Sequence, residues 1–328
     1  MNAMKWNSAL LLGINAALCL APGDAALAQS YPTKPIRIVV AFAPGGPSDY
    51  AARVVGQRLP ELLGQQVIVD NRPGAGGILG SELVAKSPPD GYTLLIANVG
   101  MLSVAPHLYS KLPYDPFKGF APITNLIGGP SWLVIHPSVP VHNVKELIAL
   151  AKARPGQLTY GSAGAGQVSH LNGELFKIMA GVDIVHVPYR GTGQITPDLL
   201  GGQISMSFST DIQSLVLARA GKLRMLAVTG LKRSPAAPEV PTVDESGLEG
   251  FEALNWNGVV ASGGTPRDII TRLNRDFVKV IQLPEVRERV EAQGNIVIGD
   301  TPEEFAAYIR AESDKWSKVI KQVGIKLD

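Results

Sequence analysis

AFAPGGPSDYAARVV, residues 41–55, passes from an apolar segment through a proline and two glycines directly into a helical pattern. Ahead of it, Ile36 to Phe42 is a run of aliphatic and β-branched residues of strand length. Behind it, Val55, Leu59 and Leu62 fall on one helical face. A strand, a tight glycine corner and a helix therefore follow one another with no lysine, histidine or cysteine at the corner. The same succession repeats along the chain. Val67–Val69, Tyr92–Ala97, Trp132–Ile135, Ile184–Val187 and Leu223–Val228 read as buried strands separated by helical patterns. Such alternation predicts an α/β protein built on mixed, mostly parallel sheets flanked by helices.

Helix boundaries are marked by their caps. Asn143-Val144-Lys145-Glu146 reads as a capping box opening a helix through Ala153. Thr265-Pro266-Arg267-Asp268 and Thr301-Pro302-Glu303-Glu304 each offer a hydroxyl cap, proline in the first turn and a carboxylate. The last helix is expected to end before Gly324. Proline and glycine cluster at Asn71–Gly80, Gly128–Pro130 and Ser234–Gly250. The latter two are where the chain is expected to pass between lobes.

The first 28 residues carry one cation, Lys5, then an apolar stretch from Ala9 to Ala21, then Ala26-Leu27-Ala28. This is the layout of a secretory signal peptide with cleavage after Ala28 and a periplasmic destination. The single cysteine, Cys19, lies within it. The exported chain would hold no thiol, and its core alone would have to stabilise it. A net charge of +2 calls for neither nucleic acid nor an anionic membrane surface.

Several chemistries find no support. The five histidines, at 107, 136, 142, 170 and 186, lack ligand spacing, so no metal or other cofactor is expected. His170 reads as a capping or packing residue. Gly74–Gly80 departs from the dinucleotide fingerprint at its third glycine, held by Leu79, and reads as a tight turn packing backbone on backbone. Tyr160–Gly164 comes near a nucleophile elbow centred on Ser162, but Tyr160 replaces the first glycine, and His170 and His186 follow too closely for a triad partner. A hydrolase is disfavoured.

Five junctions between strand and helix remain: Phe42–Asp49, Asn98–Gly100, Ser162–His170, Tyr189–Gln194 and Ser209–Asp211. Glycine lets backbone N–H groups approach a ligand, and a helix N-terminus adds a positive dipole end, so such junctions suit an anion. Charge-assisted hydrogen bonds of about 1.5–3 kcal/mol each, with helix ends of up to about 2 kcal/mol, leave room for micromolar affinity without a cationic side chain.

Longer motifs carry a resemblance. Tyr31–Arg37, Phe42–Asp49, Asn71–Gly77, Pro89–Leu94, His170–Phe176, Val187–Gly191, Asp198–Gln203 and Pro238–Thr242 stand in an order that resembles the Bug family, extracytoplasmic solute receptors of the tripartite tricarboxylate transporter. The resemblance covers the chain from about Tyr31 to its end. It implies a two-lobed, Venus-flytrap periplasmic binding protein of the type II kind, not an enzyme, expected to be a monomer. Its cleft would close on a small carboxylate with bridging waters, and its partners would be membrane permease subunits. A sensor protein in the membrane is the alternative partner. Carried over by position, the ligand-binding residues would be Phe42, Pro44, Gly45, Gly46, Ser48, Asp49 and Asn98 from one lobe. The other lobe would supply Ser162, Gly164, Gln167, Ser169, Thr192 and Asp211, although Asp49 and Asp211 also suit helix caps. Pro47-Ser48-Asp49 and Asn255-Trp256-Asn257 depart from the commoner pattern, so the solute does not follow from relatives. The expected lobes are residues 29–128 with 255–328, and 129–254.

Overall fold

The structure, a computed structural model, describes residues 31–327 except Arg190 and Ile212. The expected signal peptide lies outside the described residues. The first part of the chain forms β1 (Ile36–Val40), α1 (Pro47–Gly56), α2 (Leu59–Leu63), β2 (Val67–Asn71), α3 (Ile78–Ala85), β3 (Thr93–Asn98), α4 (Ala105–Leu108) and β4 (Phe120–Pro130). A second series follows: β5 (Trp132–Ile135), α5 (Val144–Ala153), β6 (Thr159–Ser162), α6 (Val168–Ala180), β7 (Val185–Pro188), α7 (Ile195–Leu200), β8 (Met206–Ser209), α8 (Gln213–Arg219) and β9 (Arg224–Val228). The chain then returns through β10 (Leu254–Ser262), α9 (Arg267–Ile281), α10 (Pro284–Ala292), β11 (Ile296–Val297) and α11 (Pro302–Val323).

Two sheets result, ordered β11-β4-β10-β3-β1-β2 and β7-β6-β8-β5-β9. In the first, every strand but β10 and β11 runs one way; in the second, every strand but β5 does. β5 and β10 are the strands entered directly from the other sheet, and their reversal is how a chain inserts into a parallel array after crossing. β4 stays paired with β10 through Pro130, so the chain leaves the first sheet at the end of the Gly128–Pro130 cluster.

The period of two in a strand explains the layering. In β1, Ile36, Ile38 and Val40 face one core while Val39 faces another; in β3, Leu94 and Ile96 oppose Leu95 and Ala97 in the same way. The inner core is continuous across both halves, joining Val39, Leu95 and Val260 to Leu133, Tyr160 and Phe208, with α11 contributing Phe305, Ile309 and Trp316. Each sheet is covered on its other face, by α1 and α9 on the first and by α7 and α8 on the second.

The caps on α5 and α11 form as expected: Asn143 accepts from Glu146 N–H, Thr301 and Glu304 complete a capping box, and Gly324 closes α11 in the left-handed region. Thr265 behaves differently. Its hydroxyl donates to the Ser262 carbonyl at 2.7 Å, and α9 begins at Arg267 behind Pro266 with no side-chain cap. The Gly74–Gly80 stretch packs closely, as read: a Cβ on Gly80 would lie 2.9 Å from the Ala41 Cα.

Between β4 and β5 stands a single residue, Ser131. Its N–H donates to Thr229 Oγ1 (2.7 Å), Thr229 N–H donates back to its carbonyl (3.0 Å), and Thr229 Oγ1 donates to the Ala253 carbonyl (2.6 Å). Outward and return crossings are thus bonded to each other. Asn172 of α6 reaches the same knot, donating through Nδ2 to Ser131 Oγ at 2.8 Å. Ser131, Asn172 and Thr229 are all fully buried.

Candidate functional site

The junction after β1 is set by one carboxylate. Asp49 Oδ2 accepts from Gly45 N–H and from Arg53 Nε, both at 2.9 Å, and Oδ1 accepts from Asn71 Nδ2 at 3.0 Å. The same amide donates to the Phe42 carbonyl at 3.0 Å, which pins the start of the loop to the end of β2. Burial pushes the Asp49 carboxyl up, and the bonds from Arg53, Gly45 and Asn71 more than reverse this, holding it below the usual carboxylate range. Asp49 is therefore occupied as a brace. Gly45 adopts φ +89°, a conformation that favours glycine, and a Cβ there would meet nothing within 4 Å. Pro44 is exposed and Phe42 half-buried.

With Gly45 N–H tied back, the N–H groups of Gly46, Ser48 and Asp49 meet no acceptor among the described residues. They are the orphan donors of the α1 N-terminus. Pro47 has no N–H to leave unmet, as suits the first helical position. The Ser48 hydroxyl points into the fold and donates to Asn257 Oδ1 at 2.7 Å. Asn98 is paired in register with Asn257 and uses its own Oδ1 to accept from Met101 N–H at 3.2 Å.

The junction after β6 repeats this plan with different side chains. Ala163 N–H donates to Ser169 Oγ (3.0 Å), Gly164 N–H to Ser162 Oγ (3.2 Å) and Gly166 N–H to His170 Nδ1 (3.0 Å). The early loop donors are again consumed internally. The N–H groups of Val168 and Ser169, in the first turn of α6, meet no acceptor among the described residues. The two ends resemble each other in what they leave over: first-turn N–H groups of a helix of ten residues or more, aimed out of a loop whose own amides are spoken for.

Of the remaining expected residues, Ser169, Thr192 and Asp211 come together around a small pocket beside β8, lined also by Val134 and Phe208. Asp211 Oδ1 accepts from Gln213 N–H at 2.9 Å, so it caps α8 while its side chain stays exposed. Gln167 sits elsewhere. With Gly76, Gly100 and Tyr109 it lines a small crevice at the seam between the two halves, its Nε2 3.7 Å from where a Gly76 Cβ would stand. No hydrogen bond among the described residues joins 42–49 to 162–211.

Ser162 requires a correction to the sequence reading. His186 is not too near in sequence to partner it, because β6 and β7 are parallel neighbours that set Tyr160 opposite His186, and Nε2 lies 2.6 Å from Ser162 Oγ. The hydroxyl is nevertheless fully buried and held by Gly164 on both its N–H and its carbonyl, at 3.2 Å each. It faces the loop, not open space, and has no path to a scissile bond. His170 does cap, as expected, through Nδ1 on Gly166. Sequence reasoning missed Asn71, Asn257 and His186. Asn71 was signalled only by its place at a strand end before Arg72-Pro73.

Two open-ended α/β halves joined by paired crossings, with orphan helix donors at the strand ends, define a two-lobed solute-binding protein. The comparisons make this specific: residues 51–325 match the model of the tripartite tricarboxylate transporter family receptor, and the chain belongs to that family. It is 38% identical over 301 residues to Protein BugT of Bordetella pertussis, covering 92% of each chain. Among solved structures it resembles R. palustris Rpa4515 with adipate (36% identity, TM-score 0.84, covering 90% of this chain and 99% of that one). It also resembles MatC of Rhodopseudomonas palustris with bound malate (32% identity, TM-score 0.80, covering 88% and 100%). Family and fold are those of periplasmic solute-binding proteins, which are not enzymes.

Proposed function

We propose that this protein captures a small carboxylate between its halves and delivers it to a tripartite tricarboxylate-type permease in the membrane. The observation that carries this reading is the pair of loops whose internal amides are tied off by Asp49, Ser162, Ser169 and His170, leaving the first-turn donors of α1 and α6 for an anion. The adipate and malate held by the two solved relatives are carboxylates of the size that two such ends can share. In this reading the lobes are the expected residues 29–128 with 255–328, and 129–254, divided at the Gly128–Pro130 crossing. The contact residues come from the expected set with Val168 added: Gly46, Ser48, Asp49, Val168 and Ser169 offer backbone N–H and Thr192 a hydroxyl, with Gln167 and Asp211 lying at the margins.

Calorimetry against a panel of dicarboxylates, hydroxy acids, acidic amino acids and aromatic acids should find at least one ligand of micromolar or tighter Kd. A panel that fails throughout, beside reproducible binding of a neutral or cationic solute, would overturn the assignment. The proposed export signal makes a separate statement: N-terminal sequencing of the protein from the periplasm should begin at Gln29, and recovery of Met1 there would remove it.

A further inference from the structure

His170 and His186 form a buried pair that the capture reading above does not use. Their rings stack with centroids 4.0 Å apart and planes 16° from parallel, and Tyr160 lies on His186 at 5.0 Å. The column is clamped from both sides. A Cβ on Gly173 of α6 would fall within 2.8 Å of three Tyr160 ring carbons, so only glycine leaves room for that ring. The Tyr160 hydroxyl donates to Glu174 Oε1 at 2.6 Å, and Lys177 Nζ donates to the same oxygen at 2.9 Å. Burial, then His186 and Lys177, pushes His170 down to about 3, and burial likewise lowers His186 against the opposing pull of Glu174. His170 is neutral at ordinary pH, as the Gly166 N–H donated to its Nδ1 also requires.

Each imidazole ends on the loop that precedes α6. His170 holds Gly166, and His186 holds Ser162 Oγ, which in turn accepts from Gly164 N–H. We propose that His186 is a positioning residue for ligand capture: through the Ser162 hydroxyl, and stacked on His170, it fixes the 162–167 loop so that the first-turn donors of α6 face the ligand. The proposal rests on the capture reading and deepens it. Either tautomer serves, since Ser162 Oγ can donate to Nε2 or accept from it, provided Gly164 N–H keeps its acceptor.

The test combines His186→Phe, which keeps the stack and removes the ring nitrogens, with His186→Gln, whose amide reproduces a polar atom near Nε2. Calorimetry with the carboxylate selected from the panel should show His186→Phe weakening binding at least 10-fold and His186→Gln restoring it to within about 3-fold of the wild type. Ser162→Ala should weaken binding as much as His186→Phe, and the double variant should be no weaker than either alone, because the histidine acts only through the hydroxyl. Additive losses, or a phenylalanine variant binding like the wild type, overturn the proposal. Amide exchange of Gly164 and Gly166 in unliganded protein gives an independent reading: it should speed up at least 10-fold in His186→Phe and not in His186→Gln. If no carboxylate binds the wild type, the capture reading fails, and unchanged exchange in His186→Phe would then sink the loop-setting role separately.

Discussion

Val168→Pro is expected to weaken carboxylate binding by about 10- to 100-fold while lowering the melting temperature by only a few degrees. Proline at the first helical position removes an N–H that the fold does not use, and its fixed φ suits that position. The preceding residue must be extended. Gln167, at φ −76° and ψ 160°, already is. Val168 is 8% exposed and similar to proline in bulk, so the packing loss is on the order of 1 kcal/mol. A charge-assisted hydrogen bond to a ligand carboxylate is worth about 1.5–3 kcal/mol, which converts to that loss of affinity. The measurement is a pair of titrations and melting curves on the two proteins. Undiminished affinity in a folded proline variant would mean that the α6 end does not hold the solute. α1 already carries the corresponding proline, Pro47, which is why the donors inside that helix begin at Ser48, behind the Gly46 N–H of its cap.

Asp49→Ala should cost both fold and function. Gly45 N–H and the Asn71 amide lose their acceptor, at about 1–3 kcal/mol for each donor left unmet. The Arg53 pair adds little, because its guanidinium is half exposed and screened. A destabilisation of about 2–6 kcal/mol follows, read as a drop of roughly 5–20 °C in melting temperature. Affinity should fall about 100-fold, since the loop that aims the α1 donors loses its register. The sign with pH is fixed by the depressed carboxyl of the folded state. Its contribution is complete above the unfolded value near pH 4 and vanishes as pH falls through the folded value. The stability gap between wild type and Asp49→Asn should therefore be constant from pH 5 to 7 and shrink toward pH 3. A gap that widened on acidification would contradict the brace.

The sheets were legible because their strands are apolar enough to be read one by one. All six strand readings meet an observed strand: Ile36–Phe42 ends in β1, and Trp132–Ile135 coincides with β5. β4 and β10 were not read as strands, for a physical reason. Asn125, Gly128, Gly129, Asn255, Asn257 and Gly258 interrupt their apolar runs, and those interruptions are where the structure packs closely or bonds across. The Cβ that Gly258 lacks would collide with the Phe305 ring, a neighbour distant in sequence that no local pattern announces. At the site, glycine, proline and small hydroxyls marked where the junctions lie. They did not mark which amides the loops keep for themselves. That depends on Asn71 arriving from the end of β2 and His186 from the adjacent strand β7, both contacts made only by the tertiary fold.

Ser131, alone between two strands and laced to Thr229, permits swivelling but hardly any sliding. One residue has two soft torsions, too little slack for the halves to part in parallel. The closure proposed above would thus reduce to a swing about a common axle, with the gap widest farthest from it. Asn172 fastens α6 to that axle, so in the proposed capture the rod whose tip would offer Val168 and Ser169 to the solute is geared at its root to the pivot. A tug on the tip is carried along the rod as torque.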